Sequence, residues 1–170
     1  MNVNIQPDSQ KLGVEAGKKT ASLIREVIKE NGSANIILAT GSSQFETLNQ
    51  LIIEKNIEWN RVTMFHLDEY IGLPVSHMAS FRKYLIERFL SKVPDLKSVN
   101  LINGEEDPQE ECKRLNELIR KSSIDIALVG IGENGHLAFN DPPADFETEV
   151  PYIIANLDEL CRQQQVNENW

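Results

Sequence analysis

The residues of this sequence whose types suit chemistry are a histidine and two carboxylates that lie near runs of apolar residues. His136 and Asp141 share the glycine-rich stretch VGIGENGHLAFNDPP, and Asp68 follows the apolar run VTMFHL. An imidazole titrates near neutral pH, and a carboxylate held partly out of water can act as a base. These three residues are therefore candidate proton carriers.

Asp68 stands beside a second acid, Glu69, at the end of a run that predicts a strand. Neighbouring side chains at a strand end point in opposite directions, so one acid can face a pocket while the other faces structure or solvent. The alternative is that both are turn or cap acids. His66 lies inside the run and is interpreted as an interior histidine rather than a ligand, whereas His77 stays open between the two roles.

A turn of small polar residues follows an earlier apolar run and precedes a helical pattern. It consists of Thr40, Gly41, Ser42 and Ser43. This arrangement aims backbone N–H groups and the positive end of a helix at an anion, which favours a phosphate site. The turn could also merely connect two elements. It is not a nucleotide-binding loop of the Gly-Lys-Ser/Thr kind, because no lysine follows it.

The elements that must position these residues alternate along the chain. Helices are predicted at residues 9–31, 45–54, 80–91, 108–121 and 158–165. Strands are predicted at residues 35–39, 62–67, 99–102, 124–129 and 152–155. We predict one α/β domain over residues 1–170, with a doubly wound, mainly parallel sheet and helices on both faces, a Rossmann-like three-layer arrangement. The turns after parallel strands share one sheet edge, so the candidate residues should converge on one pocket.

Charge and composition exclude several classes of function. The net charge of −9 argues against nucleic-acid and anionic-membrane partners, although a few local groups could still bind one small phosphate. No apolar run is long enough for a membrane span, and no signal pattern opens the chain, so we expect a cytoplasmic protein. Cys112 and Cys161 have no metal-ligand spacing and are interpreted as reduced thiols. The Gly-x-Gly-x-x-Gly match at residues 130–135 lacks the acid expected of a dinucleotide fold, and we predict no cofactor and no metal.

Three stretches of the sequence resemble the signature motifs of the glucosamine-6-phosphate deaminase family. They are LATGS at residues 38–42, FHLDEYIGL at residues 65–73 and GIGENGHLAFNDP at residues 130–142. The third is the most specific, because related 6-phosphogluconolactonases share its Gly-His pair but differ after it. The resemblance implies a sugar-phosphate substrate and an aldose–ketose isomerisation followed by loss of ammonia, which converts glucosamine 6-phosphate to fructose 6-phosphate.

The resemblance also assigns roles to individual residues. Asp68 matches the base that moves a proton between C2 and C1, and His136 matches the group that opens the sugar ring. Asn134 and Asp141 match the positions that support His136, and residues 40–43 match the turn that holds the phosphate. Asn134 stands where many members have Asp, Asp141 stands where Glu is usual, and Gln44 stands where Pro is often found.

Family members continue beyond the position of Trp170, through elements that include basic residues of the phosphate site. We therefore expect this chain to lack the family's C-terminal part, and an apolar face left uncovered would favour a homo-oligomer. Two alternative functions stay open. One is an isomerase or lactonase acting on another substrate, such as galactosamine 6-phosphate or 6-phosphogluconolactone. The other is a non-catalytic domain that binds a sugar phosphate.

Overall fold

The structure is a computed structural model that describes residues 2–132, 135–140, 143–157, 159, 162 and 163. Its strands are β1 (Ala34–Leu38), β2 (Val62–His66), β3 (Ser98–Asn100) and β4 (Ile126–Leu128). Its helices are α1 (Ser9–Asn31), α2 (Phe45–Ile53), α3 (Phe81–Leu85) and α4 (Pro108–Ile119). Short 3₁₀ turns at Ser42–Gln44 and Trp59–Arg61 precede α2 and β2, and α3 continues as a π-helical turn over Ile86–Leu90.

The four strands form one parallel sheet in the order β3-β2-β1-β4. Leu38 at the end of β1 is in register with His66 on one side and with Leu128 on the other. The carboxyl ends of these three strands therefore lie level at one edge of the sheet. This arrangement confirms the prediction of a doubly wound α/β fold, and it brings the turns that follow β1, β2 and β4 to the same edge.

The main hydrophobic core lies between one face of the sheet and the helices α1, α2 and α3. Strand residues at alternate positions enter it, including Ile36, Met64 and Leu128, as the two-residue period of a strand requires. Ile24 of α1 and Leu51 of α2 are fully buried against them. On the opposite face, Leu115 of α4 is buried and lines a cavity together with Ile37 of β1.

Capping residues set the limits of two helices. Asp8 accepts a hydrogen bond from the Lys11 backbone N–H at the start of α1, and Gly32 ends that helix with a φ of 79°. Asp107 accepts hydrogen bonds from two backbone N–H groups at the start of α4. These side chains satisfy donors that have no partner within the helix, so both helices begin where the sequence predicts.

The predicted strand at residues 152–155 is wrong. Asn116 of α4 takes both backbone groups of Tyr152: its Oδ1 accepts from the Tyr152 N–H at 2.7 Å, and its Nδ2 donates to the Tyr152 carbonyl at 2.9 Å. The Tyr152 hydroxyl donates to the His66 carbonyl at 2.7 Å. The segment is thus held against α4 and β2 by side chains, which removes the backbone groups that a sheet ladder would use. Most of the helix predicted at residues 158–165 lies outside the described residues.

Among the described residues, no helix has the length and apolar composition needed to cross a membrane.

Candidate active site

A cavity of about 200 Å³ opens at the edge of the sheet where β1, β2 and β4 end. All three predicted turns contribute to its wall. The lining residues are Ala39, Thr40, Gly41, Ser42, Ser43, Leu67, Asp68, Phe81, Gly130, Ile131, Gly132, His136, Ala138 and Phe139. The structure therefore brings together six of the eight predicted site residues, while Asn134 and Asp141 lie outside the described residues.

The turn after β1 presents small polar groups at the start of a helix. Gly41 has a φ of 104°, a conformation that strongly favours glycine, and it leads into the 3₁₀ turn that continues as α2. The side chains of Ser42 and Ser43 are exposed. A methyl group placed on Gly130 would lie 3.7 Å from the Ser43 Oγ, so the turns after β1 and β4 are in close proximity. This geometry suits an anion bound by backbone N–H groups and hydroxyls.

Asp68 is partly buried where β2 ends, and it lines the same cavity. Removal of its carboxyl from water, reinforced by the neighbouring charge of Glu69, raises the pKa of Asp68 to about 7. A carboxyl group with this pKa exchanges a proton readily near neutral pH, as a general base must. Glu69 accepts hydrogen bonds from Ser80 and Arg82 at the start of α3 and does not line this cavity, so one acid faces this pocket and the other is held by structure, as predicted.

His66, two residues before Asp68, is fully buried. Loss of hydration, with a smaller effect from the Arg82 charge, lowers the pKa of His66 to about 3. Its Nδ1 accepts a hydrogen bond of 3.4 Å from the Ile102 N–H, and its Nε2 has no partner among the described residues. The interpretation of His66 as an interior histidine is confirmed. His77 accepts a hydrogen bond from the Ala79 N–H within its own turn, which is a structural role.

His136 is held in a compact turn by the residues on either side of it. The Gly132 N–H donates to the His136 carbonyl at 3.0 Å. A side chain on Gly132 would begin only 2.3 Å from the imidazole ring, so this glycine is required for the position of the ring. Ala138 and Phe139 have positive φ angles of 51° and 55°, and this strained backbone turns the Phe139 ring to within 5.6 Å of the imidazole.

Aromatic rings form one wall of the cavity, and sequence reasoning did not identify them as part of the site. Phe81 of α3 is stacked on Phe139, with ring centroids 6.1 Å apart and planes at 7°. Tyr70 packs against Phe81 at 4.8 Å. Phe81 is buried, and only the fold shows that it lines the pocket.

A second cavity of about 280 Å³ shares Asp68 and Phe139 with the first and extends to α4 on the opposite face of the sheet. Its walls are mainly apolar and include Ile37, Leu115 and Tyr152. The candidate chemistry lies in the smaller, more polar cavity, because the three predicted turns converge there.

Within the described part of the chain, no group of three or more His, Cys, Asp or Glu side chains is placed to hold a metal ion. The described lining of the 200 Å³ cavity also includes no lysine or arginine. Cys112 is a free, partly buried thiol, and Cys161 lies outside the described residues. The groups around this cavity are suited to proton transfer beside a bound anion.

Comparison with known proteins agrees with this geometry. The family model described as "Glucosamine-6-phosphate isomerases/6-phosphogluconolactonase" matches residues 7–155. A glucosamine-6-phosphate deaminase of Thermoanaerobacter sp. (strain X514) is 36% identical over 145 residues, which are 82% of this chain and 57% of that protein. The chain thus spans less than two thirds of the length of this curated relative.

Two solved structures share the fold. A monomeric glucosamine-6-phosphate deaminase superposes with a TM-score of 0.85 at 31% identity, covering 98% of this chain and 69% of the other. A putative 6-phosphogluconolactonase from Neisseria gonorrhoeae FA 1090 superposes with a TM-score of 0.71, covering 85% of this chain and 67% of the other. At 19% identity, this second likeness shows the fold alone. The chain belongs to the family of glucosamine-6-phosphate isomerases and 6-phosphogluconolactonases.

Proposed function

We propose that this protein is a glucosamine-6-phosphate deaminase, which converts glucosamine 6-phosphate and water to fructose 6-phosphate and ammonia. The observation that carries the proposal is that the 40–43 turn, Asp68 and His136 line one cavity. An anion site, a base and an imidazole within one small pocket are the groups that isomerisation of a phosphorylated amino sugar requires.

The phosphate would bind at the turn formed by Thr40, Gly41, Ser42 and Ser43. The start of a helix carries unpaired N–H groups and a partial positive charge, and the exposed hydroxyls of Ser42 and Ser43 add further donors. The phosphate would fix one end of the sugar, which leaves C1 and C2 to reach Asp68 and His136.

Asp68 is the proposed base. Once the ring is open, its carboxylate takes the proton from C2, the electron pair of that C–H bond forms a C1–C2 double bond, and the π pair of the C1 carbonyl moves to its oxygen, which takes up a proton. The proton is then returned to C1, which leaves a C=N bond at C2. Water adds to that carbon, and the C–N bond breaks to release ammonia. The raised pKa of Asp68 supports this role, because the group must both accept and return a proton near neutral pH.

His136 is proposed to open the ring by moving a proton between the C1 hydroxyl and the ring oxygen. Its position on the same cavity as Asp68 supports this role. Asn134 and Asp141 remain proposed supports of His136 by resemblance. As a neutral amide, Asn134 would orient the imidazole by a hydrogen bond and could not share a proton with it.

Turnover of a substrate panel tests this proposal. The 170-residue protein is incubated separately with glucosamine 6-phosphate, galactosamine 6-phosphate and 6-phosphogluconolactone, and ammonia, ketose phosphate and lactone hydrolysis are measured. Ammonia and fructose 6-phosphate in equal amounts from the first substrate are expected. Turnover of only the epimer or only the lactone would replace the proposal. Calorimetric binding of glucosamine 6-phosphate without turnover would favour a binding domain instead.

Lactone hydrolysis is the second candidate, because the matched family includes 6-phosphogluconolactonases. Three other statements from the sequence stay predictions: a single domain over residues 1–170, a homo-oligomer and a cytoplasmic location. The classification as a hydrolase acting on C–N bonds is part of the proposal, and the panel tests it directly.

A further inference from the structure

Glu69 makes more hydrogen bonds than its place at a strand end requires. Its Oε1 accepts from the N–H groups of Tyr70 at 2.9 Å and Phe81 at 3.1 Å. Its Oε2 accepts from the Ser80 hydroxyl at 2.9 Å and the Arg82 N–H at 2.7 Å. Two of these donors are the first N–H groups of α3, which no carbonyl of the helix can accept, so Glu69 caps that helix from a distant part of the chain.

The helix that Glu69 caps contacts both of the other turns. The Tyr84 hydroxyl donates to the Gly41 carbonyl at 3.1 Å, and Phe81 is stacked on Phe139. Helix α3 therefore contacts all three turns of the cavity. Glu69 is the link between this element and the backbone of the adjacent residue, Asp68.

No neighbouring side chain shown by the structure can replace Glu69 in this role. Ser80 accepts from the Lys83 N–H at 3.2 Å while its hydroxyl proton goes to Glu69, so its bonding capacity is already used. The Arg82 guanidinium donates to Asn103 and Glu105, away from the Glu69 carboxylate. Loss of the Glu69 carboxylate would therefore remove the side-chain hydrogen bonds between this turn and α3 and leave the ring contact of Tyr70 with Phe81.

We propose that Glu69 is the positioning residue for Asp68: by capping α3, it holds Asp68 where it can reach C2 of the substrate. This inference rests on the proposed function only for the identity of the reaction. The hydrogen bonds between Glu69 and α3 do not depend on that function. The same carboxylate also acts through its charge. The pKa of Asp68 is raised mainly by loss of hydration and, to a smaller extent, by the charge of Glu69. The Tyr152 hydroxyl and His136 lie near Asp68 on other elements.

Three variants separate geometry from charge. Glu69→Gln removes the charge and turns an N–H₂ group toward donors. Glu69→Asp keeps the charge but is one methylene too short for the full set of hydrogen bonds. The control is Glu105→Gln, which removes a carboxylate that also binds Arg82 and the Val75 N–H but does not line the 200 Å³ cavity.

The readouts are the pH profile of kcat and KM and the carboxyl ¹³C NMR titration of Asp68, assigned with Asp68→Asn. In Glu69→Gln we expect a lower pKa for Asp68, an acid limb of the pH profile moved to lower pH, and kcat reduced about tenfold with little change in KM. In Glu69→Asp we expect the fall in kcat without the change in the pKa of Asp68. In Glu105→Gln we expect neither effect.

The proposal is overturned if Asp68 titrates in Glu69→Gln as it does in the wild type, or if kcat in Glu69→Gln and Glu69→Asp equals that of the control. If the wild type turns over no sugar phosphate, the proposed function fails, and the backbone amide chemical shifts of residues 68 and 81–84 in Glu69→Asp then decide the role of Glu69: wild-type shifts overturn it, and altered shifts at both places support it. If circular dichroism shows that Glu69→Gln does not fold, Glu69→Asp decides alone: lower kcat supports the proposal and wild-type kcat overturns it.

Discussion

The turn after β2 and the turn after β4 reach the same cavity but are held in different ways. The first is tied to distant elements: Glu69 binds α3, and the Gly72 N–H donates to the Gly104 carbonyl at 2.6 Å. In the second, the described backbone hydrogen bonds are short-range, such as those from Gly132 to His136 and from Gly135 to Gly132. Asp68 thus lies in a turn that backbone and side-chain hydrogen bonds tie to distant elements, whereas the described backbone hydrogen bonds around His136 are local and Phe139 contacts α3 through ring stacking.

This difference implies that the two turns respond differently to mutation. A change in the turn after β2 should reduce stability as well as activity, because it disrupts contacts with the rest of the structure. A change in the turn after β4 should reduce activity while the free energy of unfolding stays nearly the same. The following predictions test this separation, beginning with the largest expected effect.

Asp68→Asn removes the proposed base and keeps the side chain's size. We expect kcat for ammonia release to fall about 1,000-fold, within the usual range for loss of a general base. Steady-state assays with glucosamine 6-phosphate at pH 8 measure the effect. Activity within threefold of the wild type would assign the base to another residue.

Gly132→Ala should displace His136, because the added methyl carbon would lie 2.3 Å from the imidazole ring. The ring can move away, so the free energy of unfolding should change by less than about 1 kcal/mol while kcat falls about 30-fold. Urea unfolding and steady-state assays give the two values. Gly130→Ala serves as the stability control, since a methyl group there would meet only ordinary contacts of 3.7 Å or more. A large loss of stability in Gly132→Ala alone would contradict the local character of this turn.

Gly104→Ala tests the turn after β2. A methyl group on Gly104 would lie 2.3 Å from the Tyr70 carbonyl oxygen, and backbone atoms cannot move away as a side-chain ring can. We expect the free energy of unfolding to fall by about 3 kcal/mol. Urea unfolding measures the change. Wild-type stability in this variant would show that the turn is not constrained by its contact with Gly104.

The pH dependence of stability should separate Asp68→Asn from the wild type. Asp68 has a pKa near 7 in the folded protein, above the ordinary aspartate value of 3.8, so its ionisation costs stability progressively as pH rises through this range. A pKa difference of this size corresponds to a loss of at most about 4 kcal/mol in the free energy of unfolding. Because Asp68 is only partly buried, we expect a loss of about 2 kcal/mol. Asp68→Asn should therefore be more stable than the wild type by about 2 kcal/mol at pH 8 and by much less at pH 4.5. Equal differences at the two pH values, measured by urea unfolding, would contradict the raised pKa.

The sequence predicts most of this fold because its local signals agree with one another. The caps at Asp8 and Asp107, the apolar runs of the strands and the small residues of the turns each indicate the observed element. The strand predicted at residues 152–155 failed because its apolar pattern carries no information about Asn116, whose amide takes the backbone groups of Tyr152.

The candidate site was predictable as three turns at one sheet edge but not in its supporting contacts. Because neighbouring side chains at a strand end point in opposite directions, the sequence predicted different roles for Asp68 and Glu69. The residues around Glu69 gave no sign that it would cap α3, twelve residues later along the chain. The stacking of Phe81 on Phe139 likewise joins parts of the chain that only the fold brings together.

The most direct test of the central claim is a crystal structure of the Asp68→Asn variant with glucosamine 6-phosphate bound. We predict that the phosphate lies on the backbone N–H groups of the 40–43 turn, that C2 faces residue 68, and that the ring oxygen faces His136. A sugar phosphate bound instead in the apolar cavity against Leu115, or with its phosphate away from the 40–43 turn, would contradict the account.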